Sequence, residues 1–299
     1  MDQKTSAREW FMEGSRYDLL DPRSDKAVEA YKKSIVLDPT FIAAYVNLGF
    51  IYLQKEDYDC ALVYLRRTAE LEPDNPEAYN NLGYVYEKMD RLGSARQMYD
   101  QALALNPKNI EAIFNLGYIS ELEGDYHHAV QQYKKAIEID PNAVSPRFFL
   151  ALLYDRHDMF DEAIQEYQGI LEINPSHANS LFNLGNLYVQ LGDHRNAIHF
   201  FERVLAFDPN NAEAWNNLGA IYETMEKYED AVMAYKKSLA LNPFQEEANV
   251  NIAQNQYRQH IALRDESRKE EIIRRLNFVL SINPQKKRAQ KLLDELLAE

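Results

Sequence analysis

Apolar side chains recur along this chain at the spacing of one helix face, in two kinds of segment that alternate. The first kind carries such residues at i, i+3, i+4 and i+7, as in Tyr45, Leu48, Gly49 and Tyr52. The second kind uses nearly the same spacing around a leading alanine, as in Ala61, Leu65, Thr68 and Leu71. Because residues at these intervals lie on one side of an α-helix, the pattern predicts pairs of amphipathic helices.

Proline marks the end of each predicted pair at a constant interval of 34 residues. Seven prolines follow this interval: Pro39, Pro73, Pro107, Pro141, Pro175, Pro209 and Pro243. Each follows an apolar residue and then Asp, Glu or Asn, and proline disfavours helix in the residue before it. A fixed period of this length indicates a repeat protein rather than two separate globular domains.

Further motif residues repeat in step with the prolines. One unit reads Trp215-x2-Leu218-Gly219-x2-Tyr222, then Ala231-x3-Tyr235 and Pro243. This motif resembles the tetratricopeptide repeat, a helix–turn–helix unit of 34 residues. The resemblance implies an all-α fold, a right-handed superhelical solenoid of antiparallel helix pairs with a concave surface. About eight units are expected, starting near residues 8, 42, 76, 110, 144, 178, 212 and 246.

Two regions depart from the period. In the first unit Gly14 and Asp18 stand where Leu and Tyr stand elsewhere, and Asp21 and Pro22 lengthen its turn. The eighth unit is longer than the others, and its extra residues fall within 257–268. An amphipathic segment at 287–299 predicts a capping helix that covers the last exposed face. The expected organisation is therefore one tetratricopeptide superhelix over 1–286 followed by this cap.

A small residue recurs at one position of the first helices: Gly49, Gly83, Gly117, Ala151, Gly185 and Gly219. Glycine inside a helix costs about 1 kcal/mol relative to alanine. Its recurrence predicts that the backbone of a neighbouring helix approaches closely there. Between the helices, Gly124-Asp125 and Gly192-Asp193 are predicted turns in which the aspartate caps the next helix.

Charge and composition exclude several classes of protein. The chain has 33 Lys and Arg against 47 Asp and Glu, a net charge of −14, which disfavours binding to nucleic-acid phosphates. No apolar run is long enough for membrane insertion, and we expect a cytoplasmic protein. The basic residues concentrate in the segment 258–291, which holds ten Lys and Arg against four Asp and Glu. This segment is either a solvated helix face or a docking patch for an acidic partner or another copy of the chain.

The sequence contains no recognisable catalytic or metal-binding motif. Phosphate-binding, dinucleotide-binding, zinc-protease and serine-hydrolase signatures are missing, so we expect no enzyme activity, no cofactor and no metal site. The histidines lack the spacing of a helical metal pair and are interpreted as surface or structural residues. Cys60 precedes the core residue Ala61 and is interpreted as an inert thiol.

Asparagine recurs at one position of the first helices that is not needed for packing: Asn47, Asn81, Asn115, Asn183, Asn217 and Asn251. Phe149 interrupts this series in the fifth unit, and Glu13 takes its place in the first. Asparagine is a mediocre helix former, but its amide both donates and accepts hydrogen bonds. The series is similar to the asparagine ladder of the O-linked N-acetylglucosamine transferase family, and that resemblance implies contacts to the backbone of an extended peptide. The alternative is that each asparagine only hydrogen-bonds locally.

Aromatic residues share two neighbouring positions on the same helices. Phe50, Tyr84 and Tyr118 occupy one position, and Phe114, Phe148 and Phe182 occupy the other. Together with Phe149, they are either anchors for a ligand or packed between adjacent units. Acidic residues stand at the rim, at Glu77, Glu111 and Glu213.

These patterns favour a non-enzymatic scaffold that binds a protein or an extended peptide, with apolar anchors and basic residues on the ligand. Two other functions remain open at this stage. One is a structural module that self-associates, and the other is an accessory subunit of an enzyme complex.

Overall fold

A computed structural model describes residues 3–243, 246–263 and 269–298 of the chain, and every regular element in these ranges is an α-helix. The helices are α1 Gln3–Leu20, α2 Asp25–Leu37, α3 Ile42–Gln54, α4 Tyr58–Leu71, α5 Pro76–Lys88, α6 Leu92–Leu105, α7 Ile110–Leu122, α8 Tyr126–Ile139, α9 Val144–Arg156, α10 Phe160–Ile173, α11 Ala178–Gln190, α12 His194–Phe207, α13 Ala212–Thr224, α14 Tyr228–Leu241, α15 Glu246–Leu263, α16 Lys269–Ile282 and α17 Lys287–Ala298. The predicted all-α repeat fold is confirmed.

The chain separates into two compact units, residues 1–150 and residues 151–299. The boundary falls inside α9, between Leu150 and Ala151. Within each unit, consecutive helices pair into hairpins, and each hairpin packs on the one that follows it in the sequence. The repeat therefore builds both units from the same packing step.

The helix ends follow from the residues at the turns. The residue before each periodic proline leaves the helical backbone region, as in Asp38, whose φ is −134° and ψ is 95°. Asparagine or aspartate then caps many of the helices. The predicted caps are confirmed at Asp125, which accepts a hydrogen bond from the backbone N–H of His128 at 3.1 Å, and at Asp193, which accepts one from Asn196 at 3.1 Å.

The turns inside the hairpins need a left-handed backbone residue. Gly124 and Gly192 supply it with φ of +78° and +73°. Four other hairpins place a residue with a side chain there, at φ of 57–60°: Glu56, Asp90, Asp158 and Glu226. Because a Cβ atom is crowded in this conformation, these four turns carry backbone strain that the glycine turns avoid.

The core repeats a contact between a small residue and a large one within each hairpin. A Cβ atom built on Gly83 would lie 2.5 Å from Cε1 of Tyr99, and one on Gly185 would lie 2.8 Å from Cζ of Phe201. The expected close approach of a helix backbone is thus wrong: a side chain of the second helix lies over the glycine. The corresponding rings are fully buried, and they are Tyr31, Tyr99, Tyr133, Tyr167, Phe201 and Tyr235.

In the first repeat, the structure shifts the predicted match to the repeat motif by one residue. A Cβ atom on Gly14 would lie 2.7 Å from Cδ1 of Tyr31, so Gly14 is the glycine that faces the ring and does not replace a leucine. Trp10 and Tyr17 then take the aromatic positions of the motif, and Met12, not Glu13, takes the position of the asparagine series. The turn after α1 has four residues where the turn after α3 has three, which explains the shift.

The C-terminal part of the second unit ends in a small core of its own. Val250 of α15, Leu276 of α16 and Leu293 of α17 belong to one buried cluster, so α17 packs as the predicted capping helix would. The expected insertion begins in α15, which runs five residues beyond the 13 of α13. Its remainder, 264–268, lies outside the described residues, and the domain limits 1–286 and 287–299 stay predictions.

Candidate functional site

The asparagines of the series lie beside the second helix of the preceding hairpin. Asn47 donates a hydrogen bond from Nδ2 to the hydroxyl of Tyr31 at 2.9 Å, and Asn183 donates one to the hydroxyl of Tyr167 at 3.2 Å. Where the preceding ring is a tyrosine, the phenol can accept from the amide, and all of these asparagines are half-buried. The local hydrogen bonds that the alternative interpretation required therefore exist.

Asparagines that lack such a contact pair with other amides. Asn115 donates to Oδ1 of Asn80 at 3.1 Å, and Asn80 donates to Oε2 of Glu111 at 3.1 Å. Since a carboxylate only accepts, this chain of bonds has a single direction. Asn217 donates to Oδ1 of Asn186 at 3.0 Å.

Asn81 and Asn251 complete the series. Asn81 follows the hairpin whose buried residue is Leu65, which offers no hydroxyl, and its side chain makes no hydrogen bond within the described ranges. Burial raises the pKa of Tyr235, and a hydrogen bond between its hydroxyl and Asn251 opposes that shift. The asparagines thus differ in how firmly the protein holds them.

The buried phenols also donate to acidic residues near the end of the first helix. The hydroxyl groups of Tyr99, Tyr133 and Tyr235 donate to Glu87 at 3.2 Å, Glu121 at 3.0 Å and Glu223 at 3.2 Å. In each pair the acid precedes the tyrosine by 12 residues. Sequence reasoning missed this relation, although its signal is present: the residues at the same interval before Leu65 and Phe201 are the apolar Leu53 and Val189.

Phe149 replaces the asparagine of the fifth repeat with an aromatic contact inside the first unit. Its ring lies 5.1 Å from Phe114 and 5.8 Å from Tyr118, edge to face in both cases, and 6.2 Å from Tyr133. Phe148 lies 6.3 Å from it. The structure therefore brings four of the predicted aromatic residues together, and they are half-buried against one another.

The remaining aromatic candidates lie apart from this cluster. Phe50 is 39% exposed. Tyr84 lies under the ammonium group of Lys88, 4.7 Å from its ring centre. Phe182 contacts Phe201 edge to face at 5.6 Å.

The predicted acidic rim is exposed. Glu77, Glu111 and Glu213 each lie in the first turn of a first helix. A polar cleft beside Asn81 is lined by Glu77, Glu111 and Lys108 among other residues. Negative charge in this position is stabilised by the helix dipole and stays available to a ligand.

Much of the basic C-terminal segment is paired within its own unit. Arg258 lies 3.2 Å from Glu223, and Arg275 lies 3.3 Å from Glu271. Lys286 contacts Glu247 in the same way. One partner in each pair is half-buried, and the pairs favour the solvated-face interpretation over a free basic patch.

Potentially reactive side chains are held in structural roles. Cys60 lies near Asp57, and the hydrogen bond to that carboxyl, with some burial, raises the thiol pKa. Ser120 lies 3.1 Å from Nδ1 of His128, but its fully buried hydroxyl also contacts the backbone oxygen of Leu116 at 2.8 Å. In the described part of the chain, no group of three or more His, Cys, Asp and Glu is placed to hold a metal ion. Among the helices as described, none has the length and apolarity needed to cross a membrane.

Solved structures share this architecture at low sequence identity. The C-terminal part of a TPR repeat-containing protein from Cytophaga hutchinsonii is 17% identical with a TM-score of 0.64, covering 82% of this chain and 99% of that one. PilF of Pseudomonas aeruginosa is 20% identical with a TM-score of 0.59, covering 74% and 98%. A tetratricopeptide repeat protein from Parabacteroides merdae is 19% identical with a TM-score of 0.54, covering 86% and 98%. These similarities show the fold.

Models of protein families match most of the chain. Models described as tetratricopeptide repeat match residues 40–108, 77–142, 122–181, 166–199 and 212–245, and a model described as TPR repeat matches 23–56 and 185–226. Together they cover residues 23–245 without a gap. No curated protein matches the chain. The chain belongs to the tetratricopeptide repeat family, whose helical repeats typically serve as protein-interaction scaffolds.

Proposed function

We propose that this chain is a non-enzymatic scaffold that binds an extended peptide on the first helices of its hairpins. The asparagine series supplies contacts to the peptide backbone, as in the asparagine ladder of the O-linked N-acetylglucosamine transferase family. The proposal treats each of the two units separately, with Asn47, Asn81 and Asn115 in the first and Asn183, Asn217 and Asn251 in the second.

The proposal rests on the amide atoms of the series that make no local hydrogen bond. In Asn47, Asn115, Asn183 and Asn217, the local hydrogen bond uses one N–H of the amide, while Oδ1 accepts no hydrogen bond within the described ranges. A local bond of this kind fixes the plane of the amide. The second N–H and the oxygen are then oriented in advance for a ligand, which lowers the entropy lost on binding.

An extended peptide presents the matching groups. Its backbone offers N–H donors and C=O acceptors at regular intervals whatever its side chains are, which suits an amide that both donates and accepts. The exposed acids Glu77, Glu111 and Glu213 favour a ligand with basic residues. Phe50 and the cluster around Phe149 offer apolar contact area.

A peptide-display experiment tests the proposal. Random 15-residue peptides would be selected on the full chain, and the affinities of the selected peptides would be measured for a variant with Asn115→Ala, Asn183→Ala and Asn217→Ala. Each lost hydrogen bond of about 1 kcal/mol corresponds to a roughly five-fold loss of affinity. N-methylation of the peptide backbone should weaken binding to the wild type in the same way.

The control variant carries Asn142→Ala and Asn210→Ala, which change two exposed loop asparagines that follow the periodic prolines. It should bind as the wild type does. Equal affinity of the ladder variant and this control for every selected peptide would refute the backbone-binding role of the series.

A further inference from the structure

The second unit contains a small pocket with one apolar wall that the backbone-binding role does not use. It has a volume of about 200 Å³ and lies between α11, the end of α12 and the start of α13. Leu181, Phe182, Val204 and Phe207 form its apolar wall, and Asp208 and Glu213 are among its polar lining.

Phe207 is an unusual residue for its place in the repeat. The last residue of the second helix is a leucine or an isoleucine in the other repeats, and the most exposed of these, Leu105, Ile173, Leu241 and Ile282, are 37–43% exposed. Phe207 is larger and 59% exposed. An exposed ring at the mouth of a cavity loses contact with water when a ligand covers it, which favours binding of an apolar group.

The pocket has the size of one side chain. A cavity of about 150 Å³ accepts a benzene molecule, whereas sites for drug-sized ligands measure about 300–1,000 Å³. A pocket of about 200 Å³ therefore fits one leucine, methionine or phenylalanine side chain.

Negative charge at the mouth of the pocket favours a basic residue beside the apolar side chain of the ligand. Asp208 and Glu213 are exposed, neither makes an ion pair with a described residue, and no Lys or Arg lines the pocket. A cation brought to this mouth would gain attraction from both carboxylates.

The equivalent cleft three repeats earlier is different. There Glu77, Asn106, Asn109 and Glu111 stand at the positions of Asn179, Asp208, Asn211 and Glu213, and the lining is mainly polar. The apolar wall of this pocket is thus a feature of the second unit that the repeat itself does not require.

We infer that this pocket receives one bulky apolar side chain of the bound peptide, with a Lys or Arg one or two residues away that contacts Asp208 and Glu213. This inference rests on the proposed peptide-binding function and adds the side-chain chemistry that the backbone contacts leave open.

Fluorine NMR on the full chain labelled with 4-fluorophenylalanine tests it without a known partner. Three probes would be titrated: N-acetyl-Leu-Lys-amide, N-acetyl-Leu-Glu-amide and N-acetyl-Ser-Lys-amide. The Phe207 signal, assigned by its loss in Phe207→Leu, should shift with the first probe at an at least five-fold lower concentration than with the other two. Phe278, 43% exposed on α16, is the internal control and should not shift.

Charge variants complete the test. Asp208→Asn with Glu213→Gln should remove the difference between the Lys and Glu probes. Both side chains are exposed, and an asparagine at 208 keeps the oxygen that accepts a hydrogen bond from the backbone N–H of Asn210. Equal shifts with all three probes, or no shift of Phe207 at the highest concentration, would overturn the inference. If the ladder variant binds every selected peptide as tightly as its control while Phe207 still shifts selectively, the backbone-binding role is refuted and the pocket is supported. If the ladder variant binds more weakly but Phe207 shows no selective shift, only the pocket is rejected.

Discussion

The hydroxyl of Tyr133 donates a hydrogen bond to Oε2 of Glu121 at 3.0 Å, and this link between the two helices of a hairpin recurs through the protein. The repeats that lack a tyrosine at this position also lack the acid. They place Leu65 with Leu53, and Phe201 with Val189. A buried phenol without an acceptor is costly, which gives a physical reason for the two positions to change together.

We expect the Tyr133–Glu121 pair to be coupled energetically. Tyr133→Phe should cost about 1 kcal/mol because the hydrogen bond is lost while the ring remains. The double variant Tyr133→Phe with Glu121→Val copies the sixth repeat and should cost less than the sum of the single changes, by about 1 kcal/mol. Urea unfolding of the four proteins measures this coupling, and strictly additive effects would contradict it.

Two glycine substitutions should act in opposite directions. Gly83→Ala places a Cβ atom 2.5 Å from the ring of Tyr99 and should destabilise by about 1–3 kcal/mol through overpacking. Gly93→Ala meets nothing within 4 Å and should stabilise by up to about 1 kcal/mol, since alanine is the better helix former. Thermal unfolding compares them, and a shift of the same sign in both variants would argue against the ring contact.

The left-handed turn at Glu226 should benefit from glycine. Its φ of 59° crowds the Cβ atom, so Glu226→Gly should stabilise by about 0.5–1 kcal/mol after the greater flexibility of the unfolded chain is counted. Gly124→Ala, at φ of +78°, is the converse change and should destabilise. Melting temperatures of both variants measure the effect, and a less stable Glu226→Gly protein would show that the side chain makes compensating contacts.

Stability near Asp155 should depend on pH. Burial, followed by repulsion from Asp158, raises the pKa of the Asp155 carboxyl in the folded state. Below the ordinary Asp pKa of about 3.9 the carboxyl is protonated in both states, and as the pH rises through the folded-state pKa the folded protein loses stability relative to the unfolded chain.

Asp155→Asn should therefore unfold at higher urea than the wild type at pH 7, and the difference should vanish near pH 3. Asp100→Asn, an exposed change in the middle of α6, is the control and should show no such trend. A difference that persists unchanged at pH 3 would mean that titration of Asp155 is not its cause.

Sequence spacing was enough to predict the helices and the family. The 34-residue interval of the prolines determines where second helices end, because the residue before a proline avoids helical backbone angles. The turn glycines and capping aspartates were predictable for the same reason: they act within a few residues of their own position, as Asp125 does on His128.

Contacts between helices were decided only by the tertiary structure. The spacing of Gly83 predicts a close contact but does not identify Tyr99 as the residue that makes it. The one-residue shift of Gly14 depends on the length of a loop, and the partner of Asn47 depends on which residue the preceding hairpin presents. Periodicity determines the faces of the helices, whereas the side chain that meets each face is set by packing between segments far apart in the chain, and it is that packing which leaves one side of the asparagine amides free.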